Sequence, residues 1–389
     1  MKNSWPQYTR EEIIAVSKVL RSAKVNYLFG EIGKKFEKEF AKFIGTTYSL
    51  ALANGTLALD IALRAIQISK GDEVIVTPRS FVASVSCINL LGAKPVFVDI
   101  QKNSQNISPD QISKAITKKT KAIICVHLAG MPCEMTQIMS LAKKHNLFVI
   151  EDCAQAHGAK YRGKSVGSIG HIGAWSFCND KIMTLGGEGG MITTNSKKLY
   201  LFAQSFNNHG KNFKKIEQLN LKKSFKFKYV HDSIGSNYRL TEMQSAIGRI
   251  QLRKMKSWTR LRNKNAAEIY KAIKDLPLVN IPSTPEYMEH AYYKCYILLN
   301  IDHIKTNWSR DKIIEALNKK GFPCFSGSCP EIYLEKTFKK NYNIPRLPNA
   351  KKVGEESLMF LVHPTITKKE LFAYKENIRQ VLKLASKNL

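Results

Sequence analysis

A lysine in a polar, glycine-rich loop between two apolar strands has the chemical means to hold an aldehyde. Lys181 stands in SFCNDKIMTLGGEGG, five residues after Ser176 and shortly before Gly186-Gly187-Glu188-Gly189-Gly190. Its amine can form an imine when partly neutral, a state that burial promotes, and the glycines allow tight backbone turns beside a ligand. A second candidate is Asp152, which closes the apolar run LFVIED and is followed by Gln155 and His157. A carboxylate at the end of a buried strand is costly unless a cation or donor meets it. A protonated pyridine nitrogen would do so through a charge-assisted hydrogen bond; an aspartate that merely caps the next loop is the plainer alternative. The third is Asn54-Gly55-Thr56, where a strand turns into a helix. Backbone N–H groups there can cradle a phosphate, and Thr56 adds a hydroxyl, although the same tripeptide makes an ordinary helix cap.

These residues need a scaffold that brings strand ends together, and the periodicity supplies one. Apolar spacing predicts helices over 10–23 and 31–44, the latter ended by Gly45. Short apolar strands then alternate with helical segments: 48–53, 73–78, 94–99, 121–127 and 147–152 are strands, with helices from about 55, after 80 and over 134–144. That rhythm predicts a mostly parallel sheet flanked by helices, in which ligands gather at the carboxyl ends of the strands. Residues 173–177 and 189–195 read as strands bracketing the Lys181 loop. Residues 207–236 are basic and weakly patterned and read as a long surface excursion; a helix follows from about 240 to 276. After Pro282 strand and helix pieces return, which predicts a large domain over 1–255 and a smaller α+β domain over 256–389.

The totals restrict the function class. No run of eighteen uncharged apolar residues occurs, and the N-terminus lacks a signal-peptide core. A cytoplasmic protein without membrane insertion is the expectation. Eight scattered cysteines form no C-x-x-C pair, which argues for reduced thiols and against a disulfide framework or a metal site. The formal charge of +30 raises nucleic-acid binding. Yet the excess is spread along the chain with no basic block or binding signature, so lysine-rich solvated faces are the plainer reading, and a field that favours an anionic small substrate is the milder functional one.

The segments ANGTLAL (53–59), VIEDCAQAHGA (149–159), WSFCNDKIMTLGGEGG (175–190) and GSNYRLTEMQSAIGRIQL (235–252) resemble the DegT/StrS-like sugar aminotransferases of the aspartate-aminotransferase superfamily. Four motifs in the family's order span nearly the whole chain. The resemblance implies an α/β architecture of fold type I and pyridoxal 5'-phosphate as cofactor. Lys181 would be the Schiff-base lysine and proton shuttle, Asp152 the partner of the pyridine nitrogen, and Gln155 a neighbour of the ring hydroxyl. Gly55, Thr56 and Ser176 would bind the phosphate, and Phe81 would lie against the pyridine face. Asn237 would reach the phosphate from a neighbouring subunit, which implies a homodimer with shared active sites. His157, Arg239 and His290 are candidate substrate contacts. The implied reaction moves an amino group from L-glutamate to a nucleotide-linked keto-deoxysugar, for a polysaccharide, lipopolysaccharide or glycoside. Some relatives with histidine in place of this lysine are dehydratases; here lysine stands, which favours transamination, and a dehydratase or aromatizing relative that shares the lysine and the aspartate is the alternative. Ile182 and Glu188 depart from the commoner loop sequence and leave the sugar open.

Overall fold

Strands whose two faces are both apolar must be covered on both sides, and the central strands of this chain obey that requirement residue by residue. The computed structural model describes residues 4–221, 227–340, 342 and 344–387. Seven strands form one sheet: β1 (Tyr48–Leu52), β2 (Glu73–Val76), β3 (Lys94–Phe97), β4 (Thr120–Val126), β5 (Phe148–Asp152), β6 (Ile172–Ser176) and β7 (Gly190–Thr194), in the order β1-β7-β6-β5-β4-β2-β3. Strands β3, β2, β4, β5 and β6 are mutually parallel, and β7 runs against both neighbours. Alternation sends Val76, Ile124 and Ile150 to one face and Ile75, Ile123 and Val149 to the other, all buried. The first set packs on α3 (Gly55–Ala65) and α4 (Ala83–Leu90); the second packs on α6 (Met135–His145), which follows the short α5 (Pro109–Ala115).

The N-terminal helices α1 (Arg10–Arg21) and α2 (Ile32–Ile44) match the predicted spans, and Gly45 ends α2 at φ 83°. Along α2, Phe40 packs edge-on against Trp175 and Phe177, at the end of β6 and the start of the Lys181 loop, and Phe36 packs tilted against Phe177. Beyond β7 come α7 (Lys197–Phe206) and a segment that the sequence left unpatterned. It contains a helix, α8 (Phe213–Leu221), because the Asn212 carboxamide accepts from the Lys215 N–H at its first turn and donates to Asp232. Its two arms approach through bridges at Lys211–His231 and Asn208–Asn237; residues 222–226 of this excursion lie outside the described residues.

One helix then runs unbroken for 32 residues, α9 (Glu242–Ile273), started by a Thr241–Gln244 capping box. Met255 on its first half belongs to the core around Trp175, whereas Ala266, Ile269 and Ile273 on its second half belong to a separate C-terminal core. That core is formed by an antiparallel sheet of β8 (Val279–Asn280), β9 (Cys295–Leu299), β10 (Cys324–Phe325) and β11 (Ser357–Phe360), in the order β8-β9-β11-β10. Helices α10 (Arg310–Lys319) and, near the end of the chain, α11 (Lys368–Ala385) cover it. All eight cysteines are free, and no described helix is long and apolar enough to cross a membrane.

Phe40 is fully buried at the junction of α2 with β6. Phe40→Ala is expected to cost about 3–5 kcal/mol of stability, read as a lowered urea midpoint with an unchanged slope.

Candidate active site

Because six of the seven strands, β1 included, point the same way, the segments that follow β1, β2, β4, β5 and β6 emerge on one edge of the sheet. They border a cavity of about 1040 Å³. Gly55, Thr56, Phe81, Asp152, Gln155, Ser176 and Lys181 all line it. Seven residues spread over 127 positions thus meet at the strand ends.

The Asp152 carboxylate is 5% exposed. Its Oδ2 accepts from the Ser84 hydroxyl at 2.7 Å and its Oδ1 from the Ala154 N–H at 3.1 Å. Burial pushes its pKa above the usual carboxylate value, against the pull of those two donors and of the Lys181 charge. A cation delivered to this carboxylate would relieve that burden. The Gln155 side chain accepts from the Ala129 N–H at 2.7 Å, which holds the turn after β4 (Ala129 φ 56°) against the cavity.

At the opposite end, Asn54 caps α3 by accepting from the Leu57 N–H at 3.0 Å. Gly55 and Thr56 lie in the first turn, whose N–H groups have no acceptor within the helix. A Cβ on Gly55 would stand 2.5 Å from Ser176 Cβ and 3.0 Å from its Oγ. Only glycine lets this helix start approach the Ser176 hydroxyl, and the two together form a small anion cradle.

Lys181 sits between these ends. Its backbone N–H donates to the Cys178 carbonyl at 3.0 Å, and its own carbonyl accepts from the Trp5 indole at 2.7 Å. The ammonium lies 3.5 Å from Asp180 Oδ1 and 5.1 Å from the centre of the Tyr293 ring. The Tyr293 hydroxyl donates to the other Asp180 oxygen. Although burial acts to raise it, the Lys181 charge and the Tyr293 hydroxyl hold the Asp180 pKa below its usual value. Phe81 is 65% exposed and stands at the rim.

Four candidates lie elsewhere in the subunit. His157 is fully buried between the rings of Trp175 and Phe177, with neither ring nitrogen partnered among the described residues. Burial, aided by the Lys181 and Arg262 charges, pushes it down to about 3, so it is neutral. It does not line the cavity. His290 stacks on Tyr292 at 3.9 Å and accepts from the Tyr292 N–H, away from Lys181. Asn237 is exposed and paired with the Asn208 strand, and Arg239 donates to the Asn208 carboxamide at 3.2 Å. In this single subunit neither borders the cavity.

Several lining residues escaped the sequence reading. Ser84 stands three positions after Phe81, on the helix that leaves β2, and its one visible signal was that placement. Tyr293 and Lys294 fall within YYKCYILLN, where a lysine in an apolar strand marked an unusual site. Phe325, Ser328, Cys329 and Glu335 arrive from the C-terminal sheet, beyond any local pattern. A buried trio of His127, Glu151 and Cys153 has metal-ligand types. Glu151 is, however, saturated by His127 and by the N–H groups of Gly167, Ile169 and Gly170.

A lysine amine, a buried carboxylate and a helix-start anion cradle around one cavity, on this mixed sheet, define an aminotransferase of fold type I. The family comparison makes the assignment specific: the chain belongs to the DegT/DnrJ/EryC1/StrS aminotransferase family, which matches residues 6–377. It is similar to the GDP-perosamine synthase of Escherichia coli O157:H7, 42% identical over 299 residues and 76% of each chain. The dTDP-3-amino-3,6-dideoxy-alpha-D-galactopyranose transaminase of Aneurinibacillus thermoaerophilus is 40% identical over 287 residues, 74% of each. Among solved structures, an aminotransferase from Psychrobacter cryohalolentis superposes with a TM-score of 0.96 at 49% identity, over 98% of this chain and 99% of that one. The cofactor is pyridoxal 5'-phosphate, and the cradle, the carboxylate and the amine fit its phosphate, ring nitrogen and aldehyde.

Gly55→Ala forces its Cβ into Ser176. Such crowding costs about 1–3 kcal/mol, so affinity for pyridoxal phosphate is expected to fall about ten-fold or more, measured by equilibrium dialysis.

Proposed function

We propose that the enzyme transfers an amino group from L-glutamate to a 3- or 4-keto-6-deoxyhexose carried on a nucleoside diphosphate. The product would be an amino sugar for a surface polysaccharide, lipopolysaccharide or glycoside. The observation that carries this reading is the placement of the Lys181 amine in a cavity with Asp152 at one end and the Gly55–Ser176 cradle at the other. When bound, the cofactor supplies an electron sink that acidifies the carbon bearing the amino group. Asp152 keeps the pyridine nitrogen protonated, and Ser84 and the Ala154 N–H orient that carboxylate. The Lys181 amine, once free, takes the proton from the donor carbon and later returns one to the acceptor carbon. One base on one side of the ring serves both half-reactions. Gly55, Thr56 and Ser176 would hold the phosphate, Gln155 would be the neighbour of the ring hydroxyl, and Phe81 would lie against the ring.

The nucleotide-sugar reading is supported by the transaminase relatives and by the surplus of positive charge, which draws a nucleoside diphosphate toward the protein. Asn237 and Arg239, exposed or half-buried outside the cavity, suit a homodimer in which each subunit completes its partner's site. Residues 1–255 would serve as the cofactor-binding part and 256–389 as the smaller part, in a cytoplasmic enzyme.

Lys181→Ala is expected to abolish turnover while the protein still retains cofactor after gel filtration. In the wild type, L-glutamate should convert the visible chromophore of the loaded protein to a near-ultraviolet one and release 2-oxoglutarate. Normal turnover in the variant would remove Lys181 from its role, and an unresponsive wild-type chromophore would remove glutamate as donor.

A further inference from the structure

Past Tyr293 lies a second cavity of about 260 Å³, bordered by Trp5, Asp180, Arg262, Tyr293, Lys294 and His363. Asp180, Tyr293 and Lys294 line both cavities, so the smaller one adjoins the larger beside the Lys181–Asp180 pair. Two cations and a single acid meet there. The Lys294 ammonium rests 4.7 Å from the centre of the Tyr293 ring and feels Asp180 only through space. Asp180 itself is already engaged by Lys181 and the Tyr293 hydroxyl.

Arg262 is 1% exposed. Its Nη1 reaches the carbonyls of Tyr292 and Tyr293 at 3.4 and 3.3 Å, while Nε and Nη2 have no partner among the described residues. The Trp5 ring covers it at 5.0 Å. Burial pushes the guanidinium down to about 9 and the Lys294 ammonium down to about 8. Buried cations without a counter-charge are costly, and an arriving anion would offset that cost at the place where it binds.

The volume limits what the anion is. The space lies below the ~300–1,000 Å³ of pockets that hold whole drug-sized ligands, so a nucleoside diphosphate belongs in the larger cavity. A carboxylate on a short chain fits the smaller one.

We propose that this second cavity takes the side-chain carboxylate of a dicarboxylic amino donor, with Lys294 as its direct partner and Arg262 as the positive charge behind it. The inference rests on the reading of L-glutamate as donor and adds the residues that would select glutamate over a donor with a neutral side chain.

The test titrates the cofactor-loaded protein by calorimetry with glutarate, which carries both carboxylates of the donor, and with butyrate, which carries one. Wild-type protein should bind glutarate at least about ten-fold more tightly than butyrate, since charge-assisted hydrogen bonds carry that much. Lys294→Met should lower glutarate affinity by about ten-fold with little change for butyrate, and Lys294→Arg should retain most of the preference. If Lys294→Met does not fold, Lys294→Gln is read in the same way. A folded Lys294→Met that binds glutarate like the wild type, while L-glutamate still converts the wild-type chromophore, would overturn the subsite alone. A wild-type protein that neither prefers glutarate nor responds to L-glutamate would overturn the donor reading, and the subsite with it.

Discussion

A carboxylate cannot lie dry at the end of a central strand unless its oxygens are met, and much of this molecule is arranged around that demand at Asp152. Ser84 meets one oxygen and the Ala154 N–H the other. Ser84 arrives on the helix after β2, two strands away, and it can do so because β2, β4 and β5 run parallel and end on the same edge. The same parallelism delivers the Ala129 turn, Gln155 and the Lys181 loop to that edge. The exception is also functional. With β7 antiparallel, Gly190 lies opposite both Leu52 and Ser176, and a Cβ there would stand 2.2 Å from the Asn54 carbonyl. That approach sets the start of α3 against Ser176 and creates the anion cradle.

Lys181 is paired with Asp180 in the cavity, whereas Asp152 is met by neutral donors and Lys294 and Arg262 lie past Tyr293. Two of the buried histidines do not line the larger cavity. His157 is neutral between two aromatic rings, and His127 is tied to Glu151 deep in the sheet. Such a site presents distinct places for a cation, an aldehyde and an anion, which is what a cofactor with a pyridine nitrogen, an aldehyde and a phosphate requires.

Much of this was legible from the order of residues because it is local. Strand periods, the glycine after α2, and the Asn-Gly-Thr helix start are short-range signals, and the helices over 10–21 and 32–44 follow from them directly. Lys181, Asp152 and Gly55 stood out because each occupies a strand end or loop where its type is unusual. What stayed hidden depends on contacts between distant segments. Ser84 looks like any helix serine until β2 is placed beside β4. Arg262 looks like a surface residue of a basic helix, yet the N-terminal Trp5 and the start of β9 bury it. The 213–221 helix was missed because it is only nine residues long within a lysine-rich stretch, and a single Asn212 cap starts it. His157 and His290 were attractive by type alone, and packing against aromatic rings decided where they went.

The unbroken helix α9 behaves as a strut. At ~1.5 Å per residue its 32 residues extend ~48 Å. Near its start Gln244 holds the Glu188 carbonyl of the glycine loop, and farther along it carries Arg262. Salt bridges from Arg249 to Glu39 and from Lys254 to Glu12 fasten its flank to α2 and α1. Bending such a rod would break successive backbone hydrogen bonds, so the two cores it joins are held at a nearly fixed spacing. The glycine loop and Arg262 are both tied to this one rod, so its length sets where the two cavities stand relative to each other.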